Sequence, residues 1–543
     1  MNKIIRNDDE ICGGNIWMNS IQRGCKTLKN KALVAIRGGW SRLTICIFAV
    51  ILVMLATVVR YRSGEIDYFD SDATWHTLLT IECYNETPIS QHLFLPIVSM
   101  GGEDNKWISW GGTIPDSEGN YYYTSFSPAG YFFPWLCMKI FKMPVTEKSL
   151  YLFNNGLFCL SAVILVLLLW AVYEDNKYRN LLTIIGVIAY IFSPELLHGM
   201  GIVYWNQSIM QVTLLLQIYS YYEYAIKNEK RARWIFYFTS FINPYIEWTG
   251  YVANVGFAIA ELIVNYKESK RRGLKKVLLL GMITLLSFGV FCCHYLMRTD
   301  TTVFFMALKN RFMARNITTS VLLTDVIGGY LKSFLYLWVV LLVLTIWTFI
   351  KKGSVEIKNG ILLLVTAFPI VENIIMKQHA LVYTYDRMKA SIVLIIILCE
   401  IVRNLLDSYN AKIINAIVVV VFVVSAWLNI SSYMNNPAYI WEVDYRNSNL
   451  KMAEYVVEKY PDAIYASDTL IRGYMNLLFG RGIYEWQSLE SAIELANQKE
   501  KKTVVYINMD GYKLLPIHVK DLSSGITTEI SIQDGMTTEV IME

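Results

Sequence analysis

The chain has 543 residues, of which 54% are hydrophobic and only 17% are charged. Soluble domains average about 25% charged residues, and the mean hydropathy here is +0.36, which excludes an ordinary soluble globular protein. The net charge of +4 is too small to indicate nucleic acid as a partner, and no base-reading motif is present.

Apolar runs of bilayer-spanning length recur along most of the sequence, which predicts a polytopic α-helical membrane protein. The chain starts with a basic segment, residues 1–42, that carries eight Lys or Arg residues and three acids. Because basic flanks of a span favour the cytoplasmic side, we expect this segment in the cytoplasm. The first span, about 43–59, then carries the chain to the outer face.

An acidic and aromatic stretch, Arg60–Glu86, follows the first span and opens a long extracytoplasmic loop, residues 60–148. Asp70 and Asp72 stand among aromatic side chains in this stretch. A carboxylate in such surroundings can have a raised pKa and act as a general base that deprotonates a hydroxyl. The competing interpretation is a solvated acid or a helix N-cap, a position that Asp72 also suits. Asp72 is the first candidate for a catalytic residue and Asp70 the second.

Further apolar runs predict the remaining spans. They lie at about 150–172, 181–195, 208–226, 277–296, 329–350, 360–376, 390–402 and 412–430, with two more short helices in 235–264. Both flanks of 235–264 are strongly basic, so this run is expected to turn back at an outer hairpin, Asn243–Gly250. The total is about eleven spans, and every cytoplasmic connection then carries Lys or Arg. Residues 43–430 therefore form one predicted transmembrane domain.

Hydropathy drops after residue 430, and the remaining residues, 431–543, alternate helical and strand patterns. AIYAS and KTVVYIN read as short strands, and SLESAIELANQKEK reads as a helix. Such alternation predicts a small α/β domain. The number of preceding spans places this domain outside the cell.

A second polar cluster, Glu372–Lys389, lies at the predicted outer end of a helical hairpin. Its cations Lys377, His379 and Arg387 contradict the positive-inside tendency, so a local partner must neutralise them. The candidates are a lipid phosphate, carboxylates of the same segment and lipid head groups. Ionisable residues at membrane depth are costly, and arginine suits two-point contact with phosphate. A functional role for this cluster is therefore the favoured interpretation, with a lipid phosphate as one candidate partner.

A third cluster is the basic outer loop 298–316, with Arg311 and Arg315 in the amphipathic segment FFMALKNRFMAR. One interpretation is interfacial anchoring to anionic lipids. The other is a substrate-binding lid in which Arg311 and Arg315 bind the donor phosphate.

Aromatic and polar residues of several outer loops could bind substrate in the same cavity. The candidates are His76, Trp205, Glu247, Trp248 and Tyr385. Trp and Tyr at these depths commonly form an interface belt, but their rings can also stack on sugars.

The sequence contains no Walker motif, no dinucleotide fingerprint, no HExxH and no GxSxG. Nucleotide-driven transport and the common hydrolases therefore lose support.

Two local segments match a known family. FDSDATWHTLLTIE is similar to an acidic loop-one motif that leads into a surface helix, and YYYTSFSPAGYFFPWL is similar to an aromatic start of the second span. With the basic N-terminus, the many spans and the outer C-terminal part, the chain resembles GT-C fold glycosyltransferases, which include protein O-mannosyltransferases and lipid A aminoarabinose transferases. The chain departs from this family in having Asp70–Ser71–Asp72 in place of an Asp-Glu pair, and Pro128 in place of a proline pair.

The resemblance implies transfer of a sugar from a polyprenyl-phosphate donor to an acceptor glycan, lipid or protein at the outer face of the cell membrane, with inversion. Asp72 or Asp70 would be the base, and Arg387, His379 and Lys377 would stabilise the leaving phosphate. No cofactor is predicted, and no acid spacing defines a metal site, although a divalent metal stays open. The alternatives are a polytopic transporter or lipid flippase, and a non-catalytic membrane assembly protein.

Overall fold

The structure is a computed structural model of the protein, and it is described for most of the chain. The described residues are 41–58, 71–100, 112–200, 204–266, 270–350, 357–408, 411–434, 449–468, 474–485, 487–510, 513–533 and 536–542. The predicted cytoplasmic segment before Ser41 and the candidate base Asp70 lie outside them.

Helices make up most of the first 434 residues. In the first half they are α1 (Ser41–Val58), α2 (Ser71–Glu86), α3 (Ile89–His92), α4 (Ala129–Phe141), α5 (Glu147–Val172), α6 (Arg179–Ile191), α7 (Pro194–Gly199), α8 (Asn206–Tyr221), α9 (Ala232–Ile246) and α10 (Thr249–Asn265). In the second half they are α11 (Lys270–Leu296), α12 (Thr301–Asn316), α13 (Leu323–Ser333), α14 (Leu335–Ile350), α15 (Ile357–Ala367), α16 (Val371–Ile375), α17 (Lys377–Val382), α18 (Ala390–Ser408) and α19 (Ala411–Met434).

Length and hydropathy mark a membrane protein. Four helical stretches of the described chain can each cross a bilayer, in α1, α5, α11 and α19, and a fifth span exists if the bent pair in α13 and α14 counts as one. Shorter helices lie at the positions of the other predicted spans. Side chains from these helices and from the first loop pack into one large hydrophobic cluster.

The predicted break in 235–264 is present. Helix α9 ends at Ile246 and α10 begins at Thr249, so only Glu247 and Trp248 connect them. Pro244 lies in the last turn of α9, where it removes a backbone donor. Gly250 lies against the backbone of Asn243 and Pro244, so closely that a Cβ atom would overlap both. This contact sets the positions of Glu247 and Trp248.

We expect Gly250→Ala to destabilise the protein, because its new methyl group meets backbone that cannot rotate away. Overpacking costs about 1–3 kcal/mol, and a backbone clash belongs at the upper end. Gly281→Ala in α11 is the matched control, since nothing lies within 4 Å of a Cβ there. Thermal unfolding in detergent should show a lower midpoint for Gly250→Ala only. Equal midpoints for both variants would contradict the close contact.

The first outer loop folds against the helices that follow it. A hairpin of β1 (Thr113–Pro115) and β2 (Tyr121–Tyr123) lies between α3 and α4. The hydroxyl of Tyr295, near the end of α11, donates to the carbonyls of Tyr123 at 2.6 Å and Phe126 at 2.8 Å. Residues 123–126 are thereby held beside α11 and α12.

The C-terminal part contains a helix at residues 449–459, which we call α20, and helices α21 (Tyr474–Phe479) and α22 (Leu489–Gln498). Its strands are β3 (Ile464–Ser467), β4 (Thr503–Ile507), β5 (Met509–Asp510), β6 (Lys513–Leu514), β7 (Ile517–Asp521), β8 (Thr527–Gln533) and β9 (Met536–Met542). Five of them form a sheet in the order β3-β4-β7-β8-β9, in which β3 and β4 are parallel. The two strands and the helix α22 predicted from the sequence are present.

Candidate functional site

A cavity of about 500 Å³ lies between the first loop and helices α10, α11, α12 and α16. Its wall is mostly apolar and is lined by Trp248, Tyr251, Val252, Phe288, Phe305, Leu308, Phe312, Ile375 and Met376. The polar groups on the same wall are Ser125, Lys309, Arg311, Arg315 and Glu372. A long apolar wall with a few convergent polar groups is typical of a ligand site, and here most of those polar groups are cationic.

Arg315 has the most unusual surroundings of these residues. Its side chain is 6% exposed, yet within the described part of the chain it takes part in no hydrogen bond and no ion pair. Its guanidinium carbon lies 6.0 Å from the centre of the Phe126 ring. A buried cation without a partner is destabilising, so its retention on a cavity wall favours an anionic ligand.

Arg311 lies one helical turn before Arg315 on the same helix, α12. Its Nε donates to the Ser125 hydroxyl at 3.0 Å and its Nη2 to the Tyr123 hydroxyl at 3.4 Å. Ser125 also accepts the indole N–H of Trp248 on its backbone carbonyl, at 2.9 Å. These bonds join the first loop to Arg311 and hold Trp248 on the cavity wall.

An aromatic cluster continues from Tyr123 towards α2. The His76 ring meets the Tyr123 ring edge to face, with centroids 4.5 Å apart, and lies 5.1 Å from the Trp205 ring. Trp205 in turn contacts Phe126 at 5.4 Å. Burial lowers the pKa of His76 to about 3, with a contribution from Arg311, so the imidazole is neutral at physiological pH. The predicted substrate residues His76 and Trp205 are therefore neighbours.

A cluster of carboxylates includes Glu372 of the cavity wall. Glu247, Glu372 and Asp386 are all buried, and their carboxylate oxygens lie within 4.8 Å of one another. The ammonium of Lys389 lies among them: it contacts Glu372 directly, the Asp386 carboxylate at 3.2 Å and the Thr249 hydroxyl at 2.9 Å. Glu372 also lines the cavity, so the cluster adjoins the cavity wall through this one residue.

Of the cations predicted to bind phosphate, Arg387 lies apart from the cavity wall. It is buried, and it donates to the Ser333 hydroxyl at 2.7 Å, to the backbone of Ala380 and Leu381, and to Glu195 at 3.3 Å. The protein itself therefore supplies its acceptors. Lys377 is half-buried at the start of α17. Tyr385 is buried beside the Tyr383 ring, with centroids 5.6 Å apart.

His379 is buried, and its Nδ1 lies 3.2 Å from the Asp386 carboxylate. Burial lowers the pKa of His379 to about 4, although Asp386 opposes the shift. Burial alone would raise the pKa of Asp386, but Lys389 and His379 hold it well below its usual range. At neutral pH the pair is thus a neutral imidazole beside a carboxylate.

This shift predicts a pH dependence of stability. An unfolded histidine titrates near about 6.5, so above that pH His379 is neutral in both states and contributes nothing. As the pH falls from 6.5 towards 4 the unfolded chain binds the proton and the folded chain does not, so stability is lost. His379→Gln should lose less stability than the native protein over this interval in thermal unfolding. Parallel pH profiles would contradict the assignment.

Of the candidate base Asp72, the structure describes only the backbone. Asp72 lies in the first turn of α2, four residues before His76, but its side chain is outside the described residues, as is the whole of Asp70. Four residues of α-helix rise about 6 Å. The backbone of Asp72 therefore lies within one helical turn of the aromatic cluster.

The sequence did not predict which residues pair with the cations of the segment Glu372–Lys389. Glu195 pairs with Arg387 across 192 positions of sequence, and Thr249, from a different hairpin, accepts a hydrogen bond from Lys389. No local pattern links such positions. The only signal was the excess of cations in Glu372–Lys389, which required some neutralising group; buried carboxylates supply it for Arg387 and Lys389.

Comparison with known proteins identifies the fold. No protein-family model matches the sequence, and no curated protein matches it at a significant level. The crystal structure of ArnT from Cupriavidus metallidurans bound to undecaprenyl phosphate is similar over 91% of this chain and 98% of that chain, with 10% identity and a TM-score of 0.56. Its apo state, with 9% identity over 86% of this chain and 93% of that chain, scores 0.49.

The archaeal oligosaccharyltransferase AglB from Archaeoglobus fulgidus, in complex with an inhibitory peptide and a dolichol-phosphate, also scores 0.49, with 11% identity over 85% of this chain and 69% of that chain. At 0.49 these last two similarities add nothing to the assignment. The similarity to undecaprenyl-phosphate-bound ArnT confirms the GT-C fold that the sequence predicts.

Proposed function

For this chain with the GT-C fold, we propose a membrane glycosyltransferase that takes a sugar from a polyprenyl-phosphate donor. The observation that carries the proposal is Arg315, a buried cation without a hydrogen-bond or ion-pair partner among the described residues, on the wall of an apolar cavity. An amphiphile with a long apolar chain and an anionic head fits both features. ArnT, whose fold the chain shares, is bound to such a molecule, undecaprenyl phosphate.

The apolar and the cationic side chains of the cavity wall suit the two parts of the donor. Aromatic and aliphatic side chains such as Phe288, Phe305 and Phe312 would bury isoprene units. Arg315 and Arg311 would bind the phosphate, since guanidinium groups donate paired hydrogen bonds to its oxygens. The lid interpretation of the 298–316 loop is the one we adopt.

The reaction would be a single displacement at the anomeric carbon. The acceptor hydroxyl forms a new bond to that carbon, the bond from the carbon to the phosphate oxygen breaks, and Asp72 or Asp70 takes the hydroxyl proton. The donor phosphodiester has one negative charge and the released polyprenyl phosphate has up to two. Arg311 and Arg315 would stabilise the charge as it develops, in a cavity where water is scarce.

The topology that suits this reaction is the one expected from charge. About eleven helices would cross the membrane, with the N-terminus in the cytoplasm and the first loop and the C-terminal part outside. The donor cavity, the aromatic cluster and the start of α2 would then all face the outer side, where the acceptor glycan, lipid or protein is found.

The test is binding of undecaprenyl phosphate to the purified protein in nanodiscs, compared with undecaprenol, which has the same chain and no phosphate. We expect saturable binding and a higher unfolding midpoint with the phosphate only. Transfer is then followed in native membranes, which supply the acceptor, as loss of label from an undecaprenyl-phosphate-linked sugar. Equal binding of both lipids would contradict the donor site, and accumulation of substrate in vesicles without any lipid-linked donor would indicate a transporter.

A further inference from the structure

The carboxylate cluster Glu247–Glu372–Asp386 has the composition of a site for a hard cation. Three carboxylates lie together, fully buried, and their oxygens are within 4.8 Å of one another. The Thr249 hydroxyl adds a neutral oxygen donor, 3.4 Å from the Glu372 carboxylate. Calcium and magnesium prefer such oxygen sets, and carboxylates this close together repel one another unless a cation lies between them or one of them is protonated.

In this protein a side chain supplies that cation. The ammonium of Lys389 has three N–H donors, and it meets three oxygen acceptors: Glu372, Asp386 at 3.2 Å and Thr249 at 2.9 Å. All three acceptors belong to the oxygen set that would otherwise coordinate a metal. The ammonium therefore lies against three of the four oxygen-bearing side chains that would coordinate an ion.

Among the described residues, the other neighbours of Glu372 and Asp386 include no further lysine or arginine in ion-pair contact. Asp386 also accepts from the Asn373 amide at 2.6 Å and faces the imidazole of His379 at 3.2 Å. The neighbouring Arg387 pairs with Glu195 instead. Within the described part of the chain, Lys389 is the only lysine or arginine in ion-pair contact with Glu372 or Asp386.

We propose that Lys389 is the resident cation of this carboxylate cluster: it replaces a divalent metal there, and its removal converts the cluster into a metal-binding site. The proposal concerns the cluster alone and does not depend on the reaction proposed above. Calcium is the expected ion for the vacated site. Two calcium–oxygen bonds of about 2.3–2.6 Å can span oxygens that are separated by up to 4.8 Å. Two magnesium–oxygen bonds of about 2.0–2.1 Å are too short to do so.

The test compares two substitutions at one position. Lys389→Ala removes the ammonium and leaves space for an ion, whereas Lys389→Met removes the ammonium and fills that space. Both should lower the unfolding midpoint by about 5 °C or more, because they leave buried carboxylates without a cation. Millimolar calcium should restore most of that shift, with one equivalent of ⁴⁵Ca²⁺ bound, in Lys389→Ala only.

Two control variants test whether calcium binds at this carboxylate cluster. Lys389→Ala combined with Asp386→Asn should lose the calcium effect, because one ligand has gone. Lys276→Ala removes a lysine that pairs with a single buried carboxylate, Glu261, at 3.0 Å, and should gain no calcium site. Absence of calcium binding by a folded Lys389→Ala, or equal rescue of the Met variant, would overturn the proposal.

The native protein gives an independent measurement that does not require either variant to fold. After treatment with EDTA it should keep its unfolding midpoint, and calcium or magnesium should not raise it. One equivalent of tightly bound divalent metal that is lost in Glu372→Gln would overturn the proposal, since the ammonium and a metal ion cannot share the same oxygens. This outcome is also distinguishable from failure of the glycosyltransferase proposal, because no readout here uses lipid or sugar.

Discussion

Asp72→Asn should reduce sugar transfer by about a hundredfold to ten-thousandfold, the range that general-base catalysis contributes. Asparagine has nearly the same shape but cannot accept a proton from the attacking hydroxyl. Asparagine also caps helices about as well as aspartate, so the start of α2 should keep its stability. A loss of transfer without a loss of thermal stability would separate the base from the competing N-cap role.

The matched variant is Asp70→Asn, which tests the second candidate with the same change of charge. Each variant is assayed in native membranes for loss of label from an undecaprenyl-phosphate-linked sugar, and in nanodiscs for undecaprenyl phosphate binding. We expect binding to be unchanged in both, since the base acts on the acceptor. If both variants transfer sugar at the native rate, neither residue is the base.

Arg315→Ala should weaken undecaprenyl phosphate binding by about tenfold to a hundredfold, because a hydrogen bond to a charged group contributes about 1.5–3 kcal/mol. Replacing Arg311 as well should weaken binding by about a thousandfold. Binding of undecaprenol, which lacks the phosphate, should change little in either variant. Arg298→Ala is the control: it removes the same charge just before α12, but Arg298 does not line the cavity.

Stability gives a second signature for Arg315. A residue that supports the fold destabilises the protein when it is removed. Arg315 is 6% exposed and has no hydrogen-bond or ion-pair partner among the described residues, so without ligand its removal should raise the unfolding midpoint or leave it unchanged. A lower midpoint together with unchanged lipid binding would identify Arg315 as structural and would remove the main support for the donor site.

The positions of the residues predicted to bind phosphate show how far sequence reasoning reached. Arg311 and Arg315 were recognisable from an amphipathic basic segment in a predicted outer loop, and both line the cavity. Arg387 was recognisable by the same charge argument, yet its guanidinium bonds to Glu195, Ser333 and two carbonyls. The charge content of a segment does not distinguish a cation that lines a cavity from a cation that is neutralised by a carboxylate distant in sequence.

The residues predicted to bind substrate also lie in different parts of the structure. His76 and Trp205 share one aromatic cluster, Trp248 lies on the cavity wall, and Glu247 belongs to the carboxylate cluster. The sequence predicted that they come from outer loops. Which of them meet depends on how α2, α8 and the α9–α10 turn pack, because these residues are far apart in sequence.

The GT-C fold was predicted from a resemblance to a known family. The sequence by itself determined that this is a polytopic helical membrane protein, and it located the break in 235–264 and two strands near the C-terminus. Those features follow from local hydropathy, periodicity and turn residues, which short segments encode independently. Only the tertiary structure decided that Arg315 has no hydrogen-bond or ion-pair partner among the described residues, while Lys389 meets three. Pairing of buried charges depends on which helices pack together, and the residues that neutralise a charge can come from any part of the chain.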